Sequence, residues 1–241
     1  MALLSIVIPA YNEAEFIGEL LRRILDVETE SLGFLKEIIV VDDGSNDGTG
    51  EIARSFPGVR VFTQPRNQGK GKAVQRGIGE STGDYILIQD ADLEYDPNDY
   101  LRLLTALQRG ADCVYGSRVL RQREKQVGFT LCPGRHPEQY FGPWFAGQLL
   151  TLWTWLLYQR WITDTLTAYR LFPAAVVKSL HVRTSGFETD HEITAKLVRR
   201  GRRIVEEPIE YIPRTFKAGK KIKARDGFVA VWTLLKYRFV D

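Results

Sequence analysis

Through the first half of the chain, apolar residues come in short, nearly unbroken runs. Each run ends in a polar cluster and is followed by a stretch whose apolar positions recur every three or four residues. "LLSIVIPA" is the first run; after it Phe16, Ile17, Leu20, Leu21, Ile24 and Leu25 fall at helical spacing, with Asn12 placed to cap that helix. The pattern repeats with "KEIIVVDD", the turn "GSNDGT" and a short helix over residues 50–56. "VRVFTQ" then leads through a Gly- and Lys-rich loop into a helix ending near Gly79, "DYILIQD" into a helix over residues 98–109, and "ADCVYGS" closes the series. Continuous apolar runs mark strands covered on both faces. Strand and helix in alternation predict an α/β fold, a mostly parallel sheet flanked by helices.

Beyond Arg118 the rhythm breaks. Residues 119–142, rich in Gly, Pro and charge, predict a loop. A Trp-rich helix is expected over residues 145–158, followed by "DTLTAYRLF", a helix over residues 187–200 and the strand "RRIVEEPIEYI". A basic loop running to Arg225 leads into a last amphipathic helix, "GFVAVWTLLKYRF". The longest apolar stretch, "FAGQLLTLWTWLLY", is interrupted by Gln148 and is shorter than the roughly 18–20 residues that cross a bilayer, so no transmembrane helix is expected. "MALLSIVIPAYNE" has no basic leader and reads as a first strand.

Composition adds little to this picture until it is resolved along the chain. With 241 residues, 44% of them hydrophobic and 26% charged, the sequence suits one ordinary globular domain. A net charge of +3 does not argue for a polyanionic partner, and no nucleic-acid function is expected. Residues 199–225 nevertheless carry ten Lys or Arg against three Glu, without the interleaved aromatic platform of a nucleic-acid binder. The two cysteines, Cys113 and Cys132, match neither a zinc site nor a disulfide framework, which points to a reducing, cytoplasmic setting.

The polar clusters hold the chemistry. In open α/β sheets ligands bind outside the carboxyl ends of the strands, and "YNE", "DDGS", "RNQGKGKA", "DADLE" and "GSR" all fall at such ends. Asp90 and Asp92, one residue apart, can aim two hard oxygens at one point, which suits Mg²⁺ or Mn²⁺. An Asp-x-Asp pair also serves as two solvated turn acids, but four neighbouring polar clusters favour the metal. Asp42 and Asp43 fit either a base or ribose contact or an Asx-turn that caps a helix. Asn67, Gly69, Lys70 and Lys72 lie in a loop suited to phosphate at a helix N-terminus. The G-x-x-x-x-G-K-[ST] pattern of a P-loop is absent.

Taken together, "SIVIPAYNE", "VVDDGSNDGT", "NQGKGKAV", "GDYILIQDADLE" and "GSR" resemble glycosyltransferase family 2, the inverting GT-A-fold enzymes that use nucleotide sugars. "DTLTAYRLF", "GFETDHEITAKLVRRG" and "EEPIEYIPRTFKAGKKIKARDG" extend the resemblance to the branch that makes dolichyl- and polyprenyl-phosphate sugars. Residues 119–146 depart from that branch, whose Gly-Gly-containing acceptor loop is replaced by "RQREKQVGFTLCPGRHPEQYFG". The resemblance implies one GT-A domain in two halves, with residues 1–118 binding a GDP- or UDP-linked sugar and residues 119–241 the acceptor. It implies that Pro9, Tyr11, Asn12, Glu13 and Asp42, with Asp43 and Ala91 beside them, line the nucleotide pocket. Asp90, Asp92 and Glu94 would hold Mg²⁺ or Mn²⁺ against the diphosphate, Arg118 would meet an acceptor phosphate, and Arg214 and Lys220 would close over the donor.

If the acceptor is a polyprenyl phosphate, its oxygen is already anionic and needs no strong base. If it is a hydroxyl, a carboxylate must take the proton, and Asp164, Glu188, Asp190 and Glu192 are the candidates. The acids of "FETDHE" serve equally well as first-turn acids of a helix. The Trp-rich helix and the face of the last helix carrying Phe228, Val231, Trp232, Leu235 and Phe239 suit a membrane interface at the cytoplasmic side; core packing or a dimer contact is the alternative. A sugar nucleotidyltransferase would share the acidic rim but needs a Gly-rich, Arg-containing loop where this chain has "PAYNE".

Overall fold

A computed structural model of the chain describes residues 1–128, 130–213 and 224–240. The elements are β1 (Ala2–Ala10), α1 (Ala14–Asp26), β2 (Phe34–Asp42), α2 (Thr49–Arg54), β3 (Val59–Thr63), α3 (Lys70–Glu80), β4 (Tyr85–Ile88), α4 (Tyr100–Gln108) and β5 (Cys113–Ser117) in the first half. The second half contributes α5 (Arg118–Lys125), α6 (Phe141–Tyr158), β6 (Arg170–Pro173), α7 (Ala174–Lys178), α8 (Thr189–Arg199), β7 (Ile204–Pro208) and α9 (Ala224–Phe239).

The strands form one sheet in the order β3-β2-β1-β4-β6-β5-β7. β1 pairs in parallel with both β2 and β4, so the connection order reverses between β1 and β4. That reversal opens a crevice at the carboxyl ends of these two strands. β6 runs antiparallel between β4 and β5, whereas β5 and β7 are parallel. The antiparallel insertion brings the segment before Arg170 to the same rim as the carboxyl ends of β4 and β5.

Both faces of the sheet are covered, as the unbroken apolar runs require. Leu4, Ile6 and Ile8 face a cluster with Ile17, Leu20 and Ile24 of α1 and Leu103 and Leu104 of α4. Val7, Ile86 and Ile88 face the other way, against Val74 of α3 and Ile193 and Leu197 of α8. Gly77 lets α3 lie close on this face, because a Cβ there would run into Val7. Ala230, Leu234 and Tyr237 of α9 pack with Leu150 and Tyr158 of α6 and Ala195 of α8.

Three local features differ from the sequence reading. Asn12 does not cap α1: it sits in the left-handed region at φ 51°, its Oδ1 accepts from Asn46 N–H, and the Ala14 amide donates instead to Asp47 of the next loop. Residues 118–125 are helical where a loop was expected, since the Ser117 side chain accepts from Leu120 N–H and "RVLRQREK" holds no Gly or Pro. The last strand is confined to Ile204–Pro208. On α9, Phe228, Trp232 and Phe239 point outward while Leu234 and Tyr237 are buried, so the helix is partly core and partly exposed apolar surface. Among the described residues no helix is long and apolar enough to cross a membrane.

Candidate active site

The loops at the carboxyl ends of β1 and β2 are stitched together. Asn12 N–H donates to Ser45 Oγ and Glu13 N–H to Thr49 Oγ1, while Asp42 Oδ1 accepts from Ser45 N–H. Asp43 accepts at 2.8 Å from the backbone N–H groups of both Gln68 and Gly69, anchoring the loop that opens α3. Asp42 and Asp43 thus both brace rim loops. Gly69 meets that constraint at φ 96°, where an added Cβ would run into Ser185 O. Pro9 and Glu13 are buried beside this seam, Tyr11 and Asn12 half-buried, and Asn67 and Lys72 exposed.

β4 stops at Ile88, and the acids follow in a tight turn. Buried Gln89 fixes that turn: its N–H donates to Val7 O, its amide nitrogen to Asp90 O, and its Oε1 accepts from the Tyr100 hydroxyl. Leu93 takes a left-handed conformation at φ 53°. Asp92 Oδ1 accepts from Glu94 N–H, and the Glu94 side chain hydrogen-bonds the Tyr211 hydroxyl. Ala91 is buried beneath the two aspartates.

A cation already faces this turn. Lys70 Nζ lies 2.8 Å from Asp90 and 3.5 Å from Asp190, and Asp190 is held in turn by Arg170 Nη1 at 2.7 Å. Burial would lower the Lys70 pKa, but Asp190 and Asp90 reverse this and hold the ammonium above its ordinary range. Burial raises the Asp90 carboxyl; Lys70 pulls it back, and neighbouring Asp92 pushes it up again. Two hard carboxylates one residue apart on a half-open rim are the donor type that suits a divalent cation taking its other ligands from substrate and water. Among the described residues, no three His, Cys, Asp or Glu side chains form a group that could hold a metal ion. Asp90 and Asp92 stand at this rim, and Glu94, the third acid expected there, is hydrogen-bonded to Tyr211.

A second cluster sits at the end of β5. The Arg118 guanidinium grips Asp164 with two 2.7 Å bonds and lies 4.9 Å from the Tyr211 ring centre. Glu206 holds the Asp164 loop by accepting from Thr163 N–H, Thr163 Oγ1 and Asp164 N–H. Arg118 lines a recess with Thr165, Trp144, His136 and Gln139, walls supplied largely by the segment after α5. Trp144 Nε1 and Thr165 Oγ1 are buried there with no hydrogen-bond partner among the described residues.

The four candidate bases are differently placed. Burial raises Asp164 and Asp190, but Arg118 on the first and Arg170 and Lys70 on the second outweigh it and hold both below the ordinary carboxylate range. Glu192 is enclosed by Lys196, Arg183 N–H and the Thr184 amide and hydroxyl. Glu188 accepts from Gly186 N–H and is the least engaged of the four. Arg214 and Lys220 lie outside the described residues.

The chain matches the glycosyl transferase family 2 model over residues 5–148. It belongs to that family. It is 31% identical over 229 residues to the undecaprenyl-phosphate mannosyltransferase of Micrococcus luteus, covering 89% of this chain and 85% of that protein. A shorter match, 38% over 120 residues, links 48% of this chain to a dolichol-phosphate mannosyltransferase of Pyrococcus furiosus, of which it spans only 33%. Glucosyl-3-phosphoglycerate synthase from Mycobacterium tuberculosis, solved with Mn²⁺, UDP and phosphoglyceric acid, superimposes with a TM-score of 0.69 at 20% identity, over 100% of this chain and 80% of that one. At that identity the likeness establishes the fold, which is GT-A.

The sequence pointed to the rim of this family 2 domain but missed several residues that organise it. Arg170 carried a signal, an arginine inside the apolar run "TAYRLF". Gln89 resembled any polar strand end, and Tyr211 and Glu206 act through contacts that no local spacing reveals.

His191 lies beside the Arg170–Asp190 pair, buried, with neither ring nitrogen hydrogen-bonded among the described residues. Burial lowers its pKa from 6.5 to about 4, helped by Arg170 and opposed by Asp190. With the folded value below the unfolded one, its neutral form stabilises the fold fully above pH ~6.5, and that contribution is lost as pH falls towards 4. Between pH 6.5 and 4, stability measured by urea unfolding should fall less steeply in His191→Phe than in the wild type, by at most about 1.4 kcal/mol per pH unit. Parallel profiles would show that His191 does not titrate on unfolding.

Proposed function

We propose that this protein transfers a hexose, with inversion, from a nucleotide sugar to a polyprenyl phosphate at a membrane surface. The observation that carries the reading is the recess over Arg118. It is rich in donors, two of them buried and unpaired, and unpaired buried polar groups are costly enough to call for a ligand. A phosphate monoester can accept from Arg118, Trp144 Nε1 and Thr165 Oγ1. The engagement of Asp164, Asp190 and Glu192 agrees, because an anionic acceptor needs no proton removed. The names of the relatives, which include transferases for undecaprenyl and dolichol phosphates, support the same substrate class.

In this reading the acceptor phosphate oxygen, held by Arg118, attacks the anomeric carbon from the face opposite the donor diphosphate. The new carbon–oxygen bond forms as the old one breaks, and the bonding pair leaves with the nucleoside diphosphate. Asp90 and Asp92 would hold Mg²⁺ or Mn²⁺, which when bound neutralises charge on the departing diphosphate. Pro9, Tyr11, Asn12, Glu13 and the loop through Gly69 border the space for the nucleoside. Phe145, Leu149 and Leu156 of α6, with Phe228 and Trp232 of α9, are exposed and offer a surface to lie against lipid.

The test is transfer from radiolabelled GDP-mannose and UDP-hexoses, with Mn²⁺, to a polyprenyl phosphate in detergent or to free sugars. A sugar–phosphate–lipid product is expected, and transfer to sugar hydroxyls alone would overturn the proposal. Trp144→Phe keeps the ring but removes the N–H, so KM for the acceptor should rise about fivefold, the worth of one hydrogen bond, with kcat for bound substrates little changed. An unaltered acceptor KM would remove Trp144 from the site.

A further inference from the structure

Lys70 occupies Asp90, the carboxylate assigned to the metal, and it has a second carboxylate, Asp190, 3.5 Å away. An ammonium and a divalent cation cannot share one carboxylate closely, because their repulsion is strong over a few ångströms. We propose that Lys70 is a positioning residue that serves as a resident counter-cation: it sits on Asp90 in the donor-free enzyme and shifts to Asp190 and the donor diphosphate when metal and nucleotide arrive together. This inference rests on the reading of Asp90 and Asp92 as metal ligands.

The local charges support the exchange. Among the described residues, Asp90, Asp92 and Asp190 face two cations, Lys70 and Arg170, which leaves one negative charge. A divalent ion alone would turn that into one positive charge. A diphosphate arriving with the ion restores the original balance, so Lys70 penalises metal binding without nucleotide and favours the pair. Arg170 cannot play this part. It is fully buried, and its Nη2 is also tied to Thr165 O. Lys70 can, because it enters at the first residue of α3, over the Phe187 ring, with one side still reached by solvent. Its movement between the two aspartates requires only side-chain rotation.

Mn²⁺ binding followed by electron paramagnetic resonance, with and without GDP or UDP, tests this. In Lys70→Met, Mn²⁺ alone should bind about tenfold more tightly than in the wild type, since a unit charge a few ångströms away has been removed. The tightening of Mn²⁺ by nucleotide should shrink by a similar factor. Lys70→Arg should behave like the wild type, and thermal melting should confirm that each variant is folded. Equal nucleotide-free Mn²⁺ affinity in wild type and Lys70→Met, with nucleotide still tightening both, would overturn the exchange while leaving the metal site intact. Absence of Mn²⁺ binding in every variant, with or without nucleotide, would instead overturn the metal assignment on which it rests.

Discussion

Asp92→Asn should lower turnover about 100- to 1,000-fold, the loss typical of a principal electrostatic group in a preorganised site. The substitution keeps the shape of the side chain and the oxygen that accepts from Glu94 N–H, so the turn that carries it should survive. What disappears is the charge that the proposed mechanism sets, through the metal, against the donor diphosphate. Asp92 is the more informative of the two aspartates, because changing Asp90 also strips Lys70 of its 2.8 Å partner and disturbs the network behind it. The measurement is kcat at saturating donor and acceptor over a range of Mn²⁺ concentrations, with melting temperature as a check on the fold. Near-normal metal-dependent turnover would exclude the proposed mechanism.

The parts of this site legible in the sequence are those fixed by short-range pattern. An apolar run such as "YILI" followed, after Gln89, by "DADLE" reads as a buried strand that surfaces at a rim, and the structure places Asp90 and Asp92 there. Parallel pairing of β1, β2, β3 and β4 follows from strand–helix alternation, which leaves few other topologies. Contacts made across the fold were not legible. Asn12 has the composition of a helix cap, yet the loop after β2 competes for its side chain and wins, leaving Asp47 to take the first amide of α1. The antiparallel course of β6 depends on where α6 delivers the chain, and "AYRLF" reads the same in either direction. The phosphate-suited loop around Lys70 was legible, but its carboxylate partners were not, because Asp90 and Asp190 lie 20 and 120 residues away. Residue type announced what could happen at the rim, and tertiary structure decided which carboxylates were already engaged.

The largest stability effect should come from one of these long-range pairs. Asp190→Ala should reduce the free energy of unfolding by about 3–5 kcal/mol, the usual consequence of leaving a buried charge without its partner. Arg170 has no exposed surface, its Nη1 lies 2.7 Å from Asp190, and a guanidinium cannot shed its proton to escape. Its other contacts among the described residues include Thr165 O and the face of Tyr115, which cannot replace a carboxylate. The same pair should make the fold acid-sensitive. Asp190 titrates below its unfolded value, so its contribution is complete above pH ~4 and is lost as pH falls through the lower folded value. Urea unfolding of the wild type, Asp190→Ala and the double variant Asp190→Leu/Arg170→Met separates the cost of an orphaned charge from the worth of the pair. The double variant should recover most of the lost stability, because a well-packed apolar pair often equals a buried ion pair. It should not recover turnover, since Lys70 would have lost one of its two carboxylates. If Asp190→Ala unfolds within about 1 kcal/mol of the wild type, Arg170 must reach solvent or another acceptor, and the charge network behind the rim would need to be redrawn.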